Sequence, residues 1–354
     1  MTGWAIIGTG VVSSRFAAGL GALGEAARII SVASRDPMNA KAFAARHGGT
    51  PAGYQEAIAM PGVEAVYIAT PPALHEAHAM MAIAAGRAVL IEKPFAADAE
   101  AAARIITAAR AAGVFCMEAM WTRFMPMIAE AKAQIGAGVL GEIRALSGSF
   151  MGSDVPAPGT SLFDPARSGG ALLHRGIYPL SLARMLLGSA ELAAATARTG
   201  ETGVDEDCTL VLRHGSGAIS TIRASLRAPG PNRLAISGTL GMFELEAPVF
   251  RPFRARLVKV MPRTGGTGGG RGGRLSGLRD SRFVQGLQQR LPAGIVNRAK
   301  SLFRPYSGNG YQYEAAEVAA CLAKGLTESP LMPLDESVDI LRLADAARAE
   351  FSKG

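Results

Sequence analysis

Four stretches of this 354-residue chain have the residue types and spacing that chemistry needs. GGALLHRGIYPLSLARMLLG (169–188) reads as an apolar helix with His174 and Tyr178 four residues apart, so in an α-helix the imidazole and the phenol emerge one above the other. They are either polar groups tolerated in a packed helix or one wall of a reaction site. GTGVVS places Gly8 and Gly10 directly after a short apolar run, with Ser13 where a dinucleotide fingerprint has glycine or alanine. Glycines there let backbone approach a pyrophosphate resting on a helix N-terminus. The end of the next β-type run shows Ser34 and Arg35, followed at once by Asp36. An NAD site needs an acid at this point, whereas a hydroxyl and a planar cation suit the 2′-phosphate of NADP. Finally, EKPF (92–95) sets Lys93 before a proline, outside helical geometry, at the C-terminal end of a strand, the end that faces ligands in an open α/β sheet.

The elements that must position these groups are legible as alternation. WAIIGTG, RIISVAS, AVYIATPP, AVLIEKP and VFCMEA are short unbroken apolar runs separated by alanine-rich helical stretches. Such runs are strands buried on both faces, joined by crossover helices: a doubly wound parallel sheet, with EKPF closing its fourth strand. Past Trp121 the pattern changes to β-rich runs with turn residues between them, CTLVLRHGSGAISTIRASL, NRLAISGTLGMFELEA and VFRPFRARLVKV. Hairpins through HGSG and GTLG indicate an open antiparallel sheet, and helices near 311–325 and 335–351 end the chain. The expected organisation is a dinucleotide-binding unit over 1–121 and an α/β unit over 122–354, with a basic Gly-rich insertion near 251–304.

The net charge of +8 suggests a polyanion partner until it is located. Between Arg251 and Arg304 stand 13 Lys or Arg against one acid, Asp280, leaving 24 basic and 28 acidic residues elsewhere. The segment 263–277 is low-complexity and glycine-rich, a flexible excursion, and 281–303 has apolar residues at helical spacing, a surface helix pair. Contact with nucleic acid or an anionic membrane through this segment is the rival reading, and strong salt dependence would be its mark. Three scattered cysteines and HEAH at 75–78 match neither a disulfide framework nor a zinc pattern, so no metal is expected. No run has the length of a membrane span and the N-terminus has no basic leader, so the expected compartment is the cytoplasm.

Taken together, GTGVVS, ATPPALH, EKPF, MEAMWTRF, GGALLHRGIYPL and the tail GNGYQYEAAEVAACLAKGLTESPLMPLDESVDILR resemble the glucose-fructose oxidoreductase, inositol dehydrogenase and rhizopine-catabolism (Gfo/Idh/MocA) family of NAD(P)-dependent oxidoreductases. MEAMWTRF and the tail are similar to its dihydrodiol and NADP-xylose dehydrogenase branch. The resemblance implies a Rossmann domain followed by an α/β domain whose open sheet pairs subunits, as a homodimer or a higher homo-oligomer. It also implies hydride transfer between NADP, or NAD, and a secondary hydroxyl of a sugar, cyclic polyol or trans-dihydrodiol. It carries cofactor contact to Gly8, Thr9, Gly10, Val11 and Val12, to Ser34 and Arg35, to Thr70, Pro71 and His75, and to Glu92 and Lys93. Lys93 matches a catalytic or orienting lysine and Tyr178 the proton-transfer residue. Beside the resemblance, Trp121, Arg123 and Phe124 follow the last β-type run and either face the substrate as an apolar wall with one cation or pack the domain junction.

The chemistry agrees with that pairing. Hydride can leave a carbinol carbon only as its hydroxyl proton is removed, and free tyrosine is a weak base near neutrality unless a cation favours the phenolate. The departure is at 174, where the family's D-x-G-x-Y has an acid and this chain has histidine. If His174 joins the catalytic set, its protonation near pH 6.5 would add positive charge beside Lys93 and lower activity. The same departure motivates the alternative of a cofactor-binding sensor without turnover.

Overall fold

The computed structural model of this chain describes residues 1–260 and 299–352. Most of the basic Gly-rich stretch, 261–298, lies outside the described residues, and with it the expected flexible excursion and most of the expected helix pair.

The N-terminal sheet consists of β1 (Thr2–Ile7), β2 (Ala27–Ala33), β3 (Thr50–Ala52), β4 (Ala65–Ile68), β5 (Ala88–Glu92) and β6 (Cys116–Ala119). All its pairings are parallel, in the order β3-β2-β1-β4-β5-β6. Strands β1, β4, β5 and β6 are buried along their whole length, as apolar runs without alternation require when helices cover both faces. Lys93 therefore follows the fifth strand, not the fourth. The extra strand is β3, three residues with a central proline and no apolar run to announce it. The chain order reverses between β1 and β4, which opens the ligand crevice beyond their C-terminal ends.

The second sheet contains β7 (Ile143–Met151), β8 (Ala190–Thr199), β9 (Asp205–His214), β10 (Ile219–Ser225), β11 (Asn232–Gly238), β12 (Gly241–Leu245), β13 (Arg254–Lys259) and β14 (Ala299–Phe303), ordered β14-β13-β12-β11-β7-β10-β9-β8. Both expected hairpins form, β9–β10 and β11–β12. One pairing, β7 with β10, is parallel, so the sheet is mostly rather than wholly antiparallel. Residues 299–303, expected at the end of a helix pair, form instead an edge strand antiparallel to β13.

The two terminal helices are Tyr311–Ala323 and Leu334–Phe351. The last one packs on the helices Ala99–Ala112 and Ile177–Leu187 and on β8, and so ties the two sheets together. Among the described residues no helix is long and apolar enough to cross a membrane.

Candidate active site

Strand β1 exits through Gly8, whose φ is +104° and whose missing Cβ would stand 2.6 Å from the Ala69 carbonyl oxygen at the end of β4. Only glycine allows that approach. Gly10 is the N-cap of the helix Val11–Gly21, with no side-chain cap and no acid in the first turn, and a Cβ on it would meet nothing within 4 Å. The helix thus presents unfilled N–H groups and its positive end to open space, which fits a dinucleotide pyrophosphate. Thr9 Oγ1 donates to Ser34 Oγ at 3.1 Å, fixing the turn against the end of β2, and Val12 packs on the core beneath it. Arg35 is exposed. Asp36, which competes with it as the cofactor's ribose ligand, is engaged elsewhere: its carboxylate accepts from Met38 N–H at 2.9 Å as N-cap of the helix Pro37–His47.

After β4, Thr70 and Pro71 form the next wall of the crevice. Two histidines hold it from behind. His78 Nδ1 lies 3.0 Å from Thr70 Oγ1, and His75 Nε2 lies 2.8 Å from the Thr70 carbonyl. His75 Nδ1 faces the carbonyls of Pro94 and Phe95 at 3.1 and 3.3 Å, so one buried ring links the loop after β4 to the loop after β5. Burial pushes its pKa down to about 4, against those carbonyl contacts, which act to raise it.

Lys93 follows β5 and precedes a cis-proline. Its Nζ lies 5.1 Å from the centroid of the Tyr178 ring and 3.4 Å from the His174 carbonyl oxygen. His174 sits in a π-helical turn, Leu172–Gly176, that precedes the α-helix Ile177–Leu187. Pro179, five residues after His174, has no N–H with which to close a π-type bond to that carbonyl. Tyr178 is nearly buried, and its hydroxyl accepts from Trp121 Nε1 at 3.4 Å. Around it stand Phe150 at 5.8 Å and Phe250 at 6.2 Å between ring centroids, and Trp121 stacks on Tyr311 at 4.6 Å. The crevice thus joins a phosphate-ready helix end, an ammonium against a phenol, and an aromatic wall.

Residues 2–120 match the family described as "Oxidoreductase family, NAD-binding Rossmann fold", and residues 128–244 match "GFO/IDH/MocA C-terminal domain". The chain belongs to the Gfo/Idh/MocA oxidoreductases. It is 33% identical over 339 residues to trans-1,2-dihydrobenzene-1,2-diol dehydrogenase of Bos taurus, covering 94% of this chain and 92% of that one, and the Homo sapiens protein of the same name gives the same figures. Among solved structures, a 3-ketoreductase from Actinomadura kijaniata in complex with NADP and TDP-benzene superposes with a TM-score of 0.79 at 24% identity, covering 99% and 98% of the two chains. An aldose-aldose oxidoreductase from Caulobacter crescentus does so at 0.80 and 23%, covering 100% and 98%. These two likenesses bear on fold.

Within this Gfo/Idh/MocA chain, several residues expected at the ligand surface stand elsewhere. His75 is 1% exposed with both ring nitrogens within reach of backbone carbonyls, one of which accepts the single N–H of the neutral ring, so it packs between the cofactor loops from inside. Glu92 turns its carboxylate inward to Tyr67 and to the Lys93 N–H. Arg123 is 2% exposed and bonds Ser181 and Glu336, away from the crevice. Phe124 is half-buried against the core. His174 meets Lys93 through its carbonyl, while burial and then the Lys93 charge lower its imidazole to about 3. It stays neutral at pH 6.5, and the expected titration there is wrong. Phe150, Phe250 and Tyr311 were missed. No local signal marks them, because each reaches Trp121 or Tyr178 from a distant segment.

Proposed function

We propose that this oxidoreductase transfers hydride between NADP and a secondary hydroxyl of a sugar, cyclic polyol or trans-dihydrodiol, with Tyr178 as the proton-transfer residue and Lys93 as its charged neighbour. The observation that carries the reading is the Lys93 ammonium lying over the Tyr178 ring at the mouth of the crevice. The bound nicotinamide supplies the hydride acceptor or donor. For the chain's own residues, oxidation requires Tyr178 to take the hydroxyl proton as the carbinol C–H bond breaks, and Lys93 stabilises the phenolate form that can do so. Gly8, Thr9, Gly10 and Val11 would hold the pyrophosphate, and Thr70 and Pro71 the adjoining wall. Ser34 and Arg35 would bind the 2′-phosphate, and the engagement of Asp36 in a helix cap supports NADP over NAD.

Trp121, Phe150 and Phe250 offer flat apolar surface beside Tyr178, which suits the face of a cyclic diol or a pyranose ring. The 33% identity to dihydrodiol dehydrogenases supports the same substrate class. A second copy is the partner we assign to the outer face of the eight-stranded sheet, where Ile219 is 50% exposed. Sedimentation tests that assignment.

The test of function is reduced-nicotinamide absorbance with NADP and a panel of sugars, polyols and trans-dihydrodiols. Turnover should fall about 100-fold or more in Tyr178→Phe and in Lys93→Met, with NADP affinity largely kept. Tight NADP binding without turnover on any of the panel would favour the sensor reading, which the absence of an acid at 174 motivates.

A further inference from the structure

Among the described residues, the contacts of the Lys93 ammonium are the His174 carbonyl and the face of Tyr178, neither of which carries a charge. The carboxyl whose field reaches it lies behind it in the chain. Glu92 is 6% exposed, accepts from the Tyr67 hydroxyl at 2.5 Å through Oε1 and from the Lys93 N–H at 3.1 Å through Oε2, and lies within the field of the Lys93 charge. Across from it, on the helix Tyr311–Ala323, Glu314 is fully buried, and neither of its oxygens has a hydrogen-bond partner among the described residues. Two buried carboxyls within each other's field do not both ionise, and the one with donors on both oxygens is the one that carries the charge.

We propose that Glu92 is the countercharge that lets the crevice hold the Lys93 ammonium and the oxidised, cationic nicotinamide together, with Glu314 beside it kept as the neutral acid. This rests on the reading of the crevice as the NADP site. Lys93 follows β5, the strand beside β4 at the switch point, so the nicotinamide end of a dinucleotide anchored on the β1 turn comes toward it. With Glu92 ionised, ammonium and carboxylate balance, and the extra positive charge of NADP⁺ is accommodated. With Glu92 protonated, the ammonium and the nicotinamide cation repel across a partly dry site. NADPH has no such charge and is indifferent. Glu92 therefore discriminates between the two redox forms.

The groups facing Glu92 are Tyr67 on β4, Lys93 directly after it in the chain, Glu118 on β6, and Tyr311 and Glu314 on the helix Tyr311–Ala323. Burial lifts Glu92 to about 7, against the Tyr67 hydrogen bond and the Lys93 charge, which lower it. Burial and the Glu92 charge hold Glu314 well above the ordinary carboxyl range, the direction that favours its neutral form. Glu118 is also raised to about 7, chiefly by burial, and is the other group that could titrate in this window.

The experiment is equilibrium binding of NADP⁺ and of NADPH to the full-length protein, each across neutral pH. Taking the ratio of the two affinities cancels the 2′-phosphate, which both forms carry. In the native protein the NADP⁺ to NADPH affinity ratio should rise by about tenfold or more as pH passes upward through Glu92's titration. In Glu92→Gln the ratio should be flat and low. In Tyr67→Phe, which removes a bond favouring the charged carboxyl, the rise should move to higher pH, and this conservative variant keeps the test open if Glu92→Gln fails to fold. Glu118→Gln should leave the rise in place.

A rise that survives unchanged in Glu92→Gln, or that disappears in Glu118→Gln, overturns the assignment. If neither nucleotide binds the native protein, the reading of the crevice itself fails. If both bind with the same pH dependence, only the countercharge fails.

Discussion

Arg123 separates a structural reading of the crevice wall from a substrate-binding one. Its side chain has no exposure. Its Nε donates to Ser181 Oγ at 2.8 Å, Nη2 to the Ser181 carbonyl at 2.8 Å, and Nη1 to Glu336 Oε2 at 2.5 Å and to the Leu331 carbonyl at 3.4 Å. Four acceptors from two distant segments thus converge on one cation, and the guanidinium pins the loop after β6 to the helices Ile177–Leu187 and Leu334–Phe351. Arg123→Met keeps a long unbranched side chain but removes the donors to Ser181 Oγ, the Glu336 carboxylate and the Leu331 carbonyl. Breaking a buried, hydrogen-bonded pair from one side costs about 3–5 kcal/mol, which should lower a urea midpoint by about 1 M or more.

The companion variant Glu336→Gln should cost less, because Arg184 Nη1 is 3.4 Å from the other Glu336 oxygen and keeps its own bonds to Asp339. The double variant should fall short of the sum of the singles, as residues in one network do. Because no donor of Arg123 faces the crevice, KM for the organic substrate should change by less than about twofold in whatever fraction remains folded. A raised KM with an unchanged urea midpoint would refute the structural reading and return Arg123 to the substrate.

Arg35→Ala should weaken NADP binding by about 10–100-fold, the worth of charge-assisted hydrogen bonds to a phosphate, while leaving NAD affinity unchanged in titrations of both cofactors. His75 is buried with its pKa lowered to about 4, below the unfolded value of 6.5. The sign follows: its contribution is complete above 6.5 and is lost as pH falls toward 4, about 3 kcal/mol in all. His75→Gln should be less stable at neutral pH yet lose stability more slowly through that window, and parallel melting curves of the two proteins across it would refute this. His174, lowered to about 3, is neutral throughout the working range. The acid limb of the turnover profile should therefore stay at the same pH in His174→Asn, and a limb that moves would put the imidazole back in the proton path.

Local pattern carried much of the fold because the parallel strands advertise themselves. β1, β4, β5 and β6 are buried on both faces and their sequences are apolar throughout. Strands β7 and β8 give no such signal. In IRALSGSFM only Leu146 and Gly148 are buried, and AELAAATART is alanine-rich, a composition that fits a helix as well as an exposed strand. β14 reads as the end of a helix because the few apolar residues of AKSLF suit either period over so short a run. The free edge of β13 decides it.

The site divides along the same line. Gly8, Gly10 and Lys93 were legible as crevice-facing positions because each lies at a strand end in a local motif, whereas Tyr178 was singled out as the proton-transfer residue by the family resemblance. Asp36 was legible too and was misjudged: aspartate before proline is a helix-start signal, with the acid as N-cap and proline at the first helical position. Reading it so gives Asp36 a structural task of its own beside Arg35. Packing at the domain junction was one of two readings of Arg123, but the partners of Arg123 and of Glu92 were beyond reach. Their roles are set by Ser181, Glu336, Tyr67 and Glu314, partners that only the tertiary fold brings in.

The contact that residue 174 makes with Lys93 depends on the local helical period. Four-residue spacing puts two side chains on one face only if every turn between them is α-helical, and here the turn is wider. The π turn brings main chain rather than side chain to Lys93, so the contact that helps place the ammonium is one that any residue at 174 supplies. Only the charge at that position changes with the side chain. A carboxylate there would add a negative charge to the lysine from the front, whereas a histidine driven neutral by burial adds none. The charge balance then falls to the carboxyl pair behind the strand end, which the lysine reaches through its own backbone N–H. The departure from the family's pattern at 174 is therefore compatible with a working lysine, provided that Glu92 is ionised.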